Sequence, residues 1–233
     1  MITIRPADTR GHAEHGWLDS HHTFSFGSWH DPKHMGIGPL RVINDDRVVG
    51  GAGFPPHSHS DMEIITYVLE GALKHKDSTG GTSVLKPGEM QLMTAGRGIA
   101  HSEMNASPTD PVHFLQIWVM PDTRGATPGY QQLTLDAEAL RRGFHTVAAP
   151  AAEAAPFRIL QDARLAVAWP AAGQALSTPL KAERTHYLHV ARGAVTLGDQ
   201  ALTEGDAAII RGETALALIA NAESELLLFD LAA

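Results

Sequence analysis

The stretch GFPPHSHSDMEIITYVLEG, residues 53–71, decides how the chain is read. It places His57 and His59 two apart, behind Pro55-Pro56 and ahead of a run of β-formers. In an extended strand, residues i and i+2 face the same side. A residue preceding proline is itself pushed toward extended backbone. The two imidazoles can therefore face one cation. A second stretch, TAGRGIAHSEMNAS, alternates in the same way: His101 and Glu103 share a face if 101–105 is a strand. Two antiparallel strands could bring the pairs together as three imidazoles and one carboxylate.

The rest of the chain favours an all-β setting. QLMTAG, VHFLQIWVM, RLAVAWP, THYLHVARG, TALALIA and ELLLFDL are short runs of Val, Ile, Leu, Thr and aromatics. Gly, Pro, Asp and Asn separate such runs about every 8–12 residues, the pattern of a sandwich or barrel. The one helix expected is TLDAEALRRG, capped by Thr134 or Asp136 and stopped by Gly143. A faint internal repeat compares YVLEGALKHKDSTGGTSVLKPGEMQLM with HVARGAVTLGDQALTEGDAAII. Two β-domains are expected, residues 1–137 and 138–233. Aligning the repeats through Gly71 and Gly193 sets Pro179 and Lys181 opposite His57 and His59. Aligning Gly88 with Gly205 sets Leu218 and Ala220 opposite His101 and Glu103. The second domain should therefore hold no metal.

Composition narrows the function classes. The 233 residues carry a formal charge of −8 and no Lys/Arg cluster, which argues against direct nucleic-acid binding. No apolar run reaches the roughly 20 residues of a spanning helix, and no leader peptide is visible, so a cytoplasmic protein without membrane contact is expected. Cysteine is absent, which excludes disulfides, a thiol nucleophile and thiolate metal sites. Histidine, at 14 residues, is abundant. His21-His22, His30 and His34 read as loop or rim residues; His75, His113, His186 and His189 read as ordinary strand residues. In VHFLQIWVM, Phe114, Gln116 and Trp118 share one face and are candidate pocket walls, with Phe24, Phe26 and Met35.

HHTFSFGSWHDP, HSHSDMEIITYVLEGALKHKDS and MTAGRGIAHSE resemble the signature stretches of pirins, a branch of the cupin superfamily. The resemblance implies a bicupin: two antiparallel jelly-roll β-barrels, the N-terminal one binding metal and the C-terminal one degenerate. It implies one metal held by residues matching His57, His59, His101 and Glu103, the set that alternation selects. The general cupin motif places its glutamate seven residues before the closing glycine, whereas Glu63 lies eight before Gly71. One residue reverses the facing side of a strand, which makes Glu63 doubtful and Glu103 its replacement.

A mixed nitrogen and oxygen shell suits one divalent transition ion per chain: Fe first, or Mn, Ni, Co, Cu or Zn. The resemblance implies quercetin 2,3-dioxygenase activity, with a flavonol and O₂ as substrates, carbon monoxide as a product and Glu103 as general base. Two other readings stand beside it. One is a redox-sensing regulator acting through protein contacts, which some pirins are described as. The other is a metal-dependent oxidoreductase for a different substrate. Oligomeric state is left open.

Overall fold

Alternating apolar runs and Gly-rich turns build strands almost throughout. The structure, a computed structural model, describes residues 1–232. The first half runs β1 (Ile2–Arg5), β2 (Gly11–Glu14), β3 (Leu18–His22), β4 (Leu40–Val48), β5 (Gly53–Glu70), β6 (Leu73–Asp77), β7 (Thr82–Leu85), β8 (Glu89–Asn105), β9 (Val112–Val119) and β10 (Gly129–Thr134). Helix α1 (Ala137–Arg142) follows, with Asp136 as its N-cap and Gly143 at its C-cap. The second half runs β11 (His145–Pro150), β12 (Phe157–Ile159), β13 (Ala163–Ala168), β14 (Ala175–Pro179), β15 (Thr185–Arg192), β16 (Ala194–Leu197), β17 (Gln200–Thr203), β18 (Ala207–Arg211), β19 (Ala215–Ala220) and β20 (Glu225–Leu231).

Two units result, and their limits differ from a single cut after residue 137. The N-terminal unit holds Arg10–Leu135 with Ile159–Gln161; the C-terminal unit holds Met1–Thr9, Asp136–Arg158 and the chain from Asp162 on. Sheet pairing explains the first exchange. β1 pairs antiparallel with β18, Ile2 opposite Ile210, so the first strand belongs to the C-terminal unit. The second exchange follows hydrogen bonds: Leu160 donates to Glu63 and accepts from the Asp122 amide.

In the C-terminal unit, a seven-stranded sheet (β1-β18-β15-β20-β13-β11-β12) and a four-stranded sheet (β14-β19-β16-β17) share one core. Leu188, Val190, Ile210 and Leu226 from the first meet Leu176, Val195, Leu216 and Leu218 from the second. The sheets are open, so "barrel" describes their wrapping loosely. The repeat alignment shifts here. Leu218 lies opposite Leu176, and Pro179 lies opposite Ala215. The cause is a loop between β14 and β15, where the N-terminal unit has one unbroken strand, β5. Leu176, Leu218 and Ala220 are all buried apolar residues.

In the N-terminal unit the order is β2-β3-β4-β9-β5-β8-β6-β7, with β10 also on β8. β5 and β8 form one long antiparallel ribbon, from Gly53 opposite Met104 to Tyr67 opposite Met90. Its register breaks between Phe54 and His57 and again between His59 and Asp61. Asp61 has φ +63°, and its carboxylate accepts from the Gly125 amide. Asp tolerates this left-handed backbone better than most residues.

This sheet carries a polar row. Register sets His22 opposite Asn44, Asn44 opposite Gln116, Gln116 opposite Thr66, and Thr66 opposite Gln91. Apolar layers flank it: Leu18, Val48, Val68, Val112 and Phe114 on one side, Ile64, Met93 and Ala95 on the other.

Candidate metal centre

Alternation along β5 holds in the folded chain: His57 and His59 are half-buried, while Pro56, Ser58 and Ser60 are exposed. Along β8, His101 and Glu103 are buried at 2% and 1% exposure. His57 lies directly opposite His101. The rings of His57, His59 and His101 converge, with centroids 4.5–4.9 Å apart. Their donor nitrogens can lie within 4.8 Å of one another.

Three observations make this a candidate cation site. Both ring nitrogens of His101 are buried and lack a hydrogen-bond partner. A buried imidazole left so is costly unless something else meets its lone pair. His57 Nδ1 lies 2.8 Å from the Pro55 carbonyl, which fixes the ring and leaves Nε2 for an ion. Burial, with His57 beside them, pushes His59 to about 4 and His101 to about 3. Both rings are therefore neutral at pH 7, the ligating form.

Glu103 sits in a different grip. Its Oε1 accepts from Gln91 Nε2 at 2.8 Å and lies 3.2 Å from the Thr66 hydroxyl. Its Oε2 accepts from Gln116 Nε2 at 2.6 Å. A carboxylate has about four lone-pair sites, so these bonds leave one for an ion. Burial pushes Glu103 up to about 7 despite the three donors. Among the described residues it groups within 4.8 Å with His101 and His75. His75 is more than an ordinary strand residue. It is fully buried opposite Glu103, with Nε2 2.9 Å from Asp77 and its ring stacked on Tyr130. Glu63 lies on the other face of β5, where its Oε2 accepts from the Leu160 amide.

A cavity of about 390 Å³ opens beside the histidines. Phe26, Phe54 and Trp118 wall it, and His57, His59, Glu103 and Gln116 reach into it. Phe24, Met35 and Phe114, expected as walls, lie elsewhere. Phe114 shares a face with Gln116, but at a level filled by the apolar layer of Val48, Val68 and Val112. Phe24 is buried at 3% exposure, and Met35 is exposed at the surface. The rim reading of His21-His22 also changes. Both belong to β3, and His22 is buried and lines the cavity. Asn44, Asp46, Thr66 and Gln91 are inward polar residues that sequence reasoning missed. The available signal was a polar residue interrupting an apolar run, as in IITYVL and MQLM.

Known proteins are similar to this chain over its whole length. The pirin family model matches residues 3–119, and a model described as the quercetinase C-terminal cupin domain matches residues 146–231. Quercetin 2,3-dioxygenase of Escherichia coli K12 is 45% identical over 232 residues, covering 99% of each chain. A pirin-like protein of Caulobacter vibrioides is 40% identical over the whole of both chains. The crystal structure of the bacterial pirin YhhW from Escherichia coli in complex with nickel(II) superposes with a TM-score of 0.93 at 43% identity, covering 100% of this chain and 99% of that one.

Proposed function

The chain belongs to the pirin family, and from that premise we propose that it is a metal-dependent dioxygenase that opens flavonols such as quercetin with O₂. One divalent ion per chain is held by His57, His59, His101 and Glu103. The observation that carries the reading is the convergence of three neutral imidazoles, one with both nitrogens unpartnered, at the wall of an aromatic-lined cavity. Iron is the ion we assign first. Nickel, which the Escherichia coli protein holds, is tested beside it.

A divalent ion bound there supplies a Lewis acid that lowers the pKa of a hydroxyl brought to it. The chain's own residues do the rest. Glu103 receives the proton of the flavonol 3-hydroxyl, and its burial raises its affinity for that proton. Gln91 and Gln116 hold its two oxygens in place, so the base is oriented before substrate arrives. Phe26, Phe54 and Trp118 offer flat apolar walls for the ring system and exclude water from it. The C-terminal unit supplies no ligand.

The test is oxygen uptake by protein loaded separately with Fe(II) and Ni(II), with metal content measured in each. Uptake requiring both flavonol and metal is expected. Metal-loaded protein that consumes no O₂ with any flavonol would sink the reading.

A further inference from the structure

The cavity has a polar end that the metal chemistry does not use. Ser20 and His22 on β3 and Asn44 and Asp46 on β4 line it as two cross-strand pairs, Ser20 opposite Asp46 and His22 opposite Asn44. All four are at most 5% exposed. The first pair satisfies itself, for the Ser20 hydroxyl donates to Asp46 Oδ1. The second pair does not. His22 Nδ1 and Asn44 Oδ1 are both buried and have no hydrogen-bond partner.

Buried polar atoms are nearly always paired, so two orphans side by side on a cavity wall point to something that enters and pairs them. Their chemistry says what it is. Asn44 Oδ1 only accepts, so its partner is a donor. Burial pushes His22 down to about 4, so its ring is neutral and offers one N–H and one lone pair. A hydroxyl, which donates and accepts, satisfies both. The neighbouring walls are aromatic, with Phe26 edge-on to His22 at 5.2 Å and to Trp118 at 5.5 Å. Position agrees. Asn44 is two strands from Thr66, about 10 Å across the sheet. A flat polycyclic ligand whose one end lies at Glu103 can therefore place its other end between Asn44 and His22.

We infer that His22 and Asn44 form a second anchor of the substrate cavity, which binds a phenolic hydroxyl on the part of the substrate remote from Glu103. This inference rests on the flavonol reading and makes the pair a specificity determinant. A site built to pair a hydroxyl rejects the analogue that lacks it, because its buried groups stay unpaired.

The experiment is anaerobic equilibrium binding to the metal-loaded full chain, followed by fluorescence. It compares quercetin with 3-hydroxyflavone, which keeps the 3-hydroxyl and lacks the others. Wild type should bind quercetin about 10-fold more tightly, the worth of one good neutral hydrogen bond. In Asn44→Leu and, independently, His22→Phe, the ratio of the two affinities should fall toward one. Metal content and a thermal melt identify a variant that has lost its fold, and the other variant then decides. A wild-type ratio near one, or a ratio unchanged in a folded variant, overturns the anchor. Failure of the dioxygenase reading looks different: flavonols bind with the expected ratio, yet no O₂ is consumed when air is admitted.

Discussion

Replacing Glu103 by glutamine separates its role as a base from its role as a structural acceptor. Both carboxylate oxygens face amide donors, Gln91 Nε2 at Oε1 and Gln116 Nε2 at Oε2, while the single Thr66 hydroxyl proton goes to the nearer acceptor, Gln116 Oε1. A glutamine must turn its own NH₂ toward one of them. The Oε2 side loses least, but there two amide donors then confront each other. Gln116 could turn its carbonyl to meet the new NH₂ only by giving up the Thr66 hydroxyl, which lies 3.0 Å from its Oε1. One hydrogen bond to a charged group is therefore lost, worth about 1.5–3 kcal/mol. For a chain of this length that lowers Tm by several degrees. The chemical cost is separate, because an amide cannot take the 3-hydroxyl proton. General-base catalysis is worth roughly 10²–10⁴-fold. The assay is the rate of quercetin-dependent O₂ uptake per bound ion, with calorimetry on the same samples. The double variant Glu103→Gln with Gln116→Glu restores a carboxylate–amide pair in reverse. It should recover part of the Tm and none of the rate. Metal-loaded Glu103→Gln turning over at the wild-type rate per ion would refute the assignment of Glu103 as base.

Three further outcomes are expected. Asp46 is pushed up to about 7, chiefly by burial, with Asp45 and Glu103 adding to it. Its native state keeps a proton that the unfolded chain loses near pH 4, so stability falls as pH rises from about 4 to 7. Asp46→Asn removes that dependence: thermal melts should show it more stable than wild type at pH 8, with the gap closing toward pH 4, and a constant gap would exclude this cause. Leu218→Ala should cost about 2–5 kcal/mol in urea unfolding and Lys181→Ala almost nothing, while both keep wild-type metal content; a change in bound metal would contradict a metal-free C-terminal unit. Gly71 has φ +72°, and a Cβ there would meet the Pro111 carbonyl oxygen at 2.6 Å, so Gly71→Ala should lose at least about 1–3 kcal/mol in the same unfolding experiment.

The sequence by itself determined what depends on local period and local chemistry. Alternation put His57 with His59 and His101 with Glu103, because a pleated strand repeats every two residues whatever it packs against. Parity alone would keep Glu63 on the face of His57 and His59; it turns away to the Leu160 amide because the register of β5 breaks between His59 and Asp61. A helix capped by Thr134 or Asp136 was legible before any partner was known, since a cap bonds its own next turn, and Asp136 is the one that does so. Tertiary structure decided what depends on strand order and layer. Trp118, Gln116 and Phe114 share a face, yet only the first two reach the cavity, because depth along a strand is set by what fills the neighbouring strands. His22 was legible as a histidine near turns, but its burial beside Asn44 follows from pairing β3 with β4. The polar row from His22 to Gln91 draws its members from five strands separated by up to 94 residues in the chain, from His22 to Gln116. No local pattern can announce such a row, because hydrogen bonds across a sheet are made by neighbours in space, and the order of those neighbours is fixed only when the whole sheet assembles.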